Sequence, residues 1–312
     1  MHGQLGEPQA DGNQPVVRGG RKVLDKRTPL EKVLHALNYA VVTAVSLMCL
    51  YPMLHVLFAS LSDPMRLLAH RGLLLWPQGF SLKGYQAVLS NPNILSGYMN
   101  TIIYLAGGLV VSMVLTPLGA YALACKDYPF RNVLVFLFVF TMYFSGGLIP
   151  NFLVIKNLGL YDSRWAIILP TAVSTYNLIV MRTAFSSVPG ALQESARLDG
   201  ANDFVILYRI YIPCIRATMA VVCLFYAVSQ WNSWFNSMIY LQSSSKWPLQ
   251  LWLREILINS ASGGTSDDAD ALYLQELIRY AVIIVATVPI LVVYPYAQKY
   301  FMKGVMLGSV KG

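Results

Sequence analysis

Residues able to do chemistry are sparse in this chain, and the densest group is Gln230, Trp231, Asn232, Trp234 and Asn236. Amides and indoles recognise a sugar by directional hydrogen bonds and by stacking, so this group could line a glycan pathway, with Asn177 as a further member. The same residue types also form interfacial aromatic belts and hydrogen bonds between membrane helices. Both readings stand for this group, and for Asn100, Tyr143 and Asn151 the bond between helices is the plainer one. His55 suits a buried hydrogen bond better than a metal or proton role. Asp267, Asp268 and Asp270 resemble the start of a calcium loop, but its glycine and final glutamate are missing, which favours a solvated turn. Paired carboxylates, H-E-x-x-H and a nucleophile motif are all missing, so neither catalytic residues nor a metal site is expected.

The elements that must carry these residues are membrane helices. Of the 312 residues, 56% are hydrophobic and 12% charged, against roughly a quarter charged in a soluble domain, and the mean hydropathy is +0.52. An ordinary water-soluble enzyme is excluded. Six stretches of at least 17 residues lack Asp, Glu, Lys and Arg: 33–62, 84–125, 132–155, 165–181, 217–245 and 280–298. A bilayer core about 30 Å thick takes roughly 20 helical residues, and a charge inside it costs several kcal/mol, so each stretch accommodates one span. The expectation is an all-α membrane protein with six transmembrane helices. In the second stretch Pro92 and the polar run 90–93 confine the crossing to about 99–123. The fourth is short, with Arg182 placed to snorkel at its end.

Charge gives the orientation. With the N-terminus inside, the cytoplasmic segments hold 15 Lys and Arg and the outer ones eight; acidic residues divide eight to seven. Positive residues are retained on the cytoplasmic side, so both termini are expected there, and the net charge of +8 reads as a topology signal and an attraction to anionic lipid rather than as nucleic-acid binding. Residues 1–32 form a basic cytoplasmic tail and 33–312 the six-helix domain. The cysteines at 49, 125, 214 and 223 lie in spans or at their cytoplasmic ends, so no disulfide framework is expected.

The longest cytoplasmic loop, 186–216, is patterned. Ser187, Val188 and Pro189 make a helix start; Ala191 to Leu198 are helix formers, and Gly200 is the residue favoured just past a helix end. Asn202 or Asp203 can cap a second short helix over 204–211, which Pro213 ends or kinks. On the first helix Leu192 and Ala196, with Leu198 as the weakest member, share the membrane-facing side, leaving Gln193, Glu194 and Arg197 outward. On the outer side, WPLQLWLREILI places Leu249, Trp252, Leu253, Ile256 and Leu257 at helical spacing, the pattern of a helix lying flat at the interface.

The string Glu194, Ser195, Ala196, three residues, Gly200, nine residues, Ile210, one residue, Ile212, Pro213 resembles the EAA motif of ABC importer permeases, with both spacings kept. It departs only in Ser195 for Ala and Ile212 for Leu. The C-terminal run YPYAQKYFMKGVMLGSVKG resembles the ending of carbohydrate-importer permeases related to the maltose system, as does the order of Trp231, Asn232, Trp234 and Phe235. The similarity extends from the first span to the C-terminus.

The resemblance implies that the loop is a coupling helix docked on a cytoplasmic ATPase. Glu194 would be the charged contact, Gly200 the hinge and Pro213 the joint to span five, with Ser195, Ala196, Asp199, Ile210 and Ile212 completing the coupling string. Val310, Lys311 and Gly312 match tails that reach the ATPase pair. It further implies a second related permease, two ATPases that hold ATP and Mg, an extracytoplasmic solute-binding protein received by 246–276 and 61–98, and a bacterial cytoplasmic membrane. The cargo would be an oligosaccharide or polysaccharide fragment, moved by alternating access. The chain lacks a G-x-x-x-x-G-K-S/T phosphate loop, in keeping with ATP hydrolysis on partners. The competing reading, a secondary carrier with a regulatory loop, is weakened because the spans contain no acidic residue to titrate.

Overall fold

The computed structural model describes residues 29–125, 127–261 and 269–309, with the side chains of 259–261, 269–274, 276, 296, 297 and 299–309 excepted. The basic tail before 29, Asp267, Asp268, the side chain of Asp270, and Val310, Lys311 and Gly312 lie outside the described residues.

The described elements are helices: α1 (Pro29–Ser60), α2 (Pro64–Ala69), α3 (Lys83–Leu89), α4 (Pro92–Ala124), α5 (Arg131–Tyr143), α6 (Leu148–Asn157), α7 (Trp165–Ile168), α8 (Thr175–Ser186), α9 (Gly190–Leu198), α10 (Asp203–Ile206), α11 (Ile212–Cys214), α12 (Arg216–Trp231), α13 (Phe235–Tyr240), α14 (Leu249–Ala261) and α15 (Ala269–Ser309). A π turn, Leu207–Tyr211, joins α10 to α11, and a 3₁₀ turn, Ser244–Lys246, precedes α14. One local device starts several of them. Asp63, Asn91, Ser174 and Asn202 each accept a backbone N–H from the first turn of α2, α4, α8 and α10, a cap worth about 1 kcal/mol. Pro64 and Pro92 sit at the following position, where their missing N–H costs nothing.

Among the described residues three helices are long and apolar enough to cross a membrane unbroken: Pro29–Ser60, Pro92–Ala124 and Leu277–Pro295. Two bent pairs, Arg131–Tyr143 with Leu148–Asn157 at 115° and Asp203–Cys214 with Arg216–Trp231 at 89°, raise the number to as many as five if each pair is one span. The charge-free stretches differ from this in identifiable places. Pro92 begins α4, so the helix that contains 99–123 has 33 residues and a length of roughly 50 Å. Stretch 132–155 folds back at Gly147, where φ is +85°. Stretch 165–181 is not one helix: Pro170 separates α7 from α8, and the freed backbone finds side-chain partners, with Ser174 N–H donating to Tyr226 Oη at 2.9 Å. Helix α8 runs on past Arg182, whose Nε donates to Leu123 O at 3.1 Å, satisfying one of the open carbonyls at the end of α4.

Contacts divide the chain into residues 1–52 and 53–312. The first unit contributes the N-terminal part of α1, where Ser46 Oγ donates to Val42 O. In the second, α4 takes part in three buried clusters: Ala120, Tyr121 and Leu123 with α8 and residues 196–215, Ile94 with α3, α14 and α15, and Tyr104 with α6, α7 and α13. Helix α14 packs into the second cluster. Leu249, Leu251 and Leu253 are all buried, and Gly97 on α4 lets Leu249 and Trp252 approach closely: a Cβ there would lie 2.9 Å from Trp252 Cδ1.

The turn before α14 is fastened from two directions. Asp162, itself at φ +56°, accepts from Gln242 N–H and Ser243 N–H at 3.0 Å each, Ser243 Oγ at 2.6 Å and Lys246 Nζ at 2.8 Å. Buried Asn100 on α4 donates to Ser245 O at 2.8 Å and Trp247 O at 3.1 Å, and Tyr104 Oη donates to Lys246 O at 2.8 Å. Asn100 thus bonds a loop to a helix, not one helix to another. Lys246 and the Ser243 donors hold the Asp162 carboxyl far below the usual carboxylate range. A depressed folded pKa contributes stability above the unfolded value that is lost as pH falls toward the folded one. Asp162→Asn should lower the melting temperature of the purified protein from pH 5 to 8, and the deficit should shrink below about pH 4; a deficit independent of pH would show that the charge plays no part.

Candidate functional site

Residues 186–216 assemble as the sequence pattern requires, with corrections at the helix start and on two faces. Ser187 closes α8, its Oγ donating to Ala184 O at 2.7 Å, so α9 begins after Pro189 without a side-chain cap. The end of α9 is a Schellman turn. Gly200 has φ +79°, its N–H donates to Arg197 O at 3.0 Å, and Ala201 N–H donates to Ala196 O at 2.9 Å. Asn202, not Asp203, caps the next helix, accepting from Val205 N–H at 2.9 Å. Pro213 has no N–H for the carbonyl four residues back, and the chain before it widens into the π turn, with Ile212 N–H reaching Leu207 O. Ile210 and Ile212 pack against the cluster beneath.

Three rings tie this segment to α4 and α8. Tyr121, Phe185 and Tyr211 meet edge to face with centroids 5.2 to 6.2 Å apart, a geometry worth about 0.5–1.5 kcal/mol per pair beyond burial. The two tyrosine hydroxyls reach back to the loop. Tyr211 Oη donates to Gln193 Oε1 at 2.8 Å, and Tyr121 Oη to Asp203 Oδ1 at 3.3 Å. Arg197 pairs with Asp203 at 3.4 Å and Asp127 at 3.5 Å, both at the exposed rim. Ala196 is buried as expected. Gln193 instead turns inward, because Tyr211 supplies its partner. Leu198 turns outward, 89% exposed, since two residues on from Ala196 is roughly 200° around the helix.

What remains on the outer face of α9 is Glu194, Ser195, Leu198 and Asp199, all exposed. No hydrogen bond or ion pair joins the side chains of Glu194 or Asp199 to described residues. The outer face of α9 thus presents an acidic pair beside an exposed leucine, on a helix packed from behind. It contains no nucleophile paired with a base. Among the described residues no cluster of His, Cys, Asp or Glu could hold a metal ion.

The second set of sequence candidates separates. Asn177 lines a cavity of about 410 Å³ between α8 and α12, with Thr171, Ser174, Tyr176, Phe225 and Tyr226. Asn232 and Trp234 line another of about 510 Å³ with Gln250 and Arg254. Trp231 lies in neither; it is buried beside Tyr98, ring centroids 6.3 Å apart. Gln230 sits against Gly108 and accepts from Thr171 Oγ1 at 3.4 Å, and Asn236 is half-buried outside both cavities. The aromatic wall Tyr176, Phe225 and Tyr226 was not singled out from sequence. The signal available was Pro170 and Ser174 inside a charge-free stretch, a break followed by a cap.

No family model matches the chain. Curated relatives do. The polygalacturonan/rhamnogalacturonan transport system permease protein YtcP of Bacillus subtilis is 41% identical over 286 residues, covering 90% of this chain and 99% of the relative. Protein LplC of the same organism is 38% identical over 287 residues, covering 91% and 97%. Among solved structures, a chain of a bacterial ABC transporter involved in the import of the acidic polysaccharide alginate superposes with a TM-score of 0.81 at 32% identity, covering 88% of this chain and 99% of that one.

Gly200 supplies a direct test of the loop geometry. Added atoms would meet open space, so a substitution is penalised only through the backbone, by about 1–2 kcal/mol for a residue with a Cβ in this region. Gly200→Val should lower the melting temperature more than Gly200→Ala, because β-branching tightens the restriction. Equal tolerance of both would contradict the positive φ.

Proposed function

The chain belongs to the permease subunits of ABC sugar importers, and from that membership we propose that it forms one half of a pathway importing oligosaccharide or polysaccharide fragments, driven by ATP hydrolysed on other subunits. The observation that carries this is the exposed Glu194, Leu198 and Asp199 face of α9, backed by the three-ring contact to α4 and α8. In this reading the chain crosses the bacterial cytoplasmic membrane six times with both termini inside, and 186–216 faces the cytoplasm. Two ATPases bind ATP and Mg and draw the coupling loops together as they close. Because Tyr211 and Phe185 leave no slack, α9 carries α4 and α8 with it. The cavity between α8 and α12 then changes its side of access. The tail residues Val310, Lys311 and Gly312 would contact the same ATPases.

The other half of the pathway is a second, related permease. A solute-binding protein delivers the cargo from outside to 61–98 and 246–276. A further solved alginate transporter, in complex with an alginate pentasaccharide-bound periplasmic protein, shares the fold with a TM-score of 0.55 at 17% identity. The relatives' names, for polygalacturonan, rhamnogalacturonan and alginate, support a polysaccharide fragment as cargo.

Affinity purification in mild detergent tests the assembly. Wild-type chain should bring down an ATP-hydrolysing subunit and a second permease, and Glu194→Lys should insert normally but lose most of the ATPase by reversing a charge at the dock. Recovery of the chain alone, or as a homodimer, would contradict the importer reading; unchanged ATPase recovery with the variant would remove Glu194 from the contact.

A further inference from the structure

The second cavity, bounded by the turn after α12, by α14 and by α15, contains a cation whose setting the coupling mechanism does not explain. The Arg254 guanidinium carbon lies 4.7 Å from the centroid of the Trp234 ring. Arg254 is half-buried, and no acidic side chain among the described residues pairs with it. Its neighbours on α14 and α15 include Leu253, Leu257 and Ile283. A guanidinium partly withdrawn from water among apolar groups loses solvation that stacking on an indole restores only in part, and an anion would restore the rest. Stacking also leaves its in-plane N–H fork open, the arrangement that receives a carboxylate through two parallel bonds.

The polar groups beside it suit a sugar ring. Asn232 Nδ2 is committed to Val228 O at 2.9 Å, which turns its Oδ1 into a fixed acceptor. Gln250 and Thr287 add an amide and a hydroxyl on the same lining. We propose that this cavity is a subsite for a uronic acid residue of the transported oligosaccharide, with Arg254 receiving the carboxylate, Trp234 holding the guanidinium plane, and Asn232 and Gln250 meeting ring hydroxyls. The proposal rests on the importer reading for its cargo, but its recognition chemistry stands on this cavity.

The test is equilibrium binding of trigalacturonate, and of the same trisaccharide with its carboxyls reduced to neutral alcohols, to the purified complex in nanodiscs. Binding needs no ATP hydrolysis, so failure here is separable from failure of the importer reading, which the purification of ATPase partners decides. Wild type should prefer the acidic trisaccharide. Arg254→Gln should weaken that binding about tenfold or more, the size of a lost charged hydrogen-bond pair, and leave neutral binding unchanged; Arg254→Lys, which keeps charge without the fork, should fall between. Absence of acidic preference in wild type, or equal weakening of both sugars by Arg254→Gln, would overturn the assignment. So would a variant that loses only docking of the solute-binding protein, because Arg254 would then serve a protein contact.

Discussion

Tyr121 on α4, Phe185 at the end of α8 and Tyr211 in the π turn come from three separated parts of the chain and share one edge-to-face contact. Around it Ala196, Ile206, Leu207 and Ile215 are buried with Leu178 and Met181, so the segment between α8 and α12 packs on the same cluster as α4 and α8. The hydroxyls of Tyr121 and Tyr211 take up Asp203 and Gln193, which orients the loop as well as anchoring it. Within this contact Gly200 closes α9 in a Schellman turn. These contacts join α9 to α4 and α8.

Helix α4 carries that constraint to the other end of the molecule. Its N-terminal half holds the turn before α14 through Asn100, Thr101 and Tyr104, and Asp162 holds the same turn from the opposite side. Between these two fixed ends the polypeptide is broken, at Pro170 to Ser174 and again at Asn232 to Trp234. Each break borders a cavity. In the first of these breaks the irregular backbone is paired with a side chain, Ser174 N–H donating to Tyr226 Oη.

Much of this was legible in the residues. Gly200 after Leu198, Asn202 before a short helix and Pro213 at the joint each have local causes, and local causes are written in adjacent positions. Absence of charge located apolar stretches but not their continuity, because Pro170 is tolerated only where Tyr226, 56 residues on, supplies a hydrogen bond. Gln193 was read as outward because its partner, Tyr211, lies on another element; Leu198 was read as inward by extending a face past the last turn. Trp231 and Trp234 are near neighbours in sequence, yet one is core and the other faces Arg254, a difference set by the break between α12 and α13. Arg254 itself was read as part of an interfacial helix, and only the packing of α14 against α4 and α15 gives it a cavity.

The central claim is that the three-ring contact makes the coupling segment and α4 with α8 a single mechanical body. Its direct measurement is oligosaccharide uptake against ATP hydrolysis in reconstituted complex carrying Tyr211→Ala, with Tyr211→Phe as the ring-preserving control. Loss of uptake in Tyr211→Ala while the ATPases remain bound and hydrolyse ATP, with near-normal uptake in Tyr211→Phe, is the predicted result. Uptake that stays proportional to hydrolysis in Tyr211→Ala would contradict it.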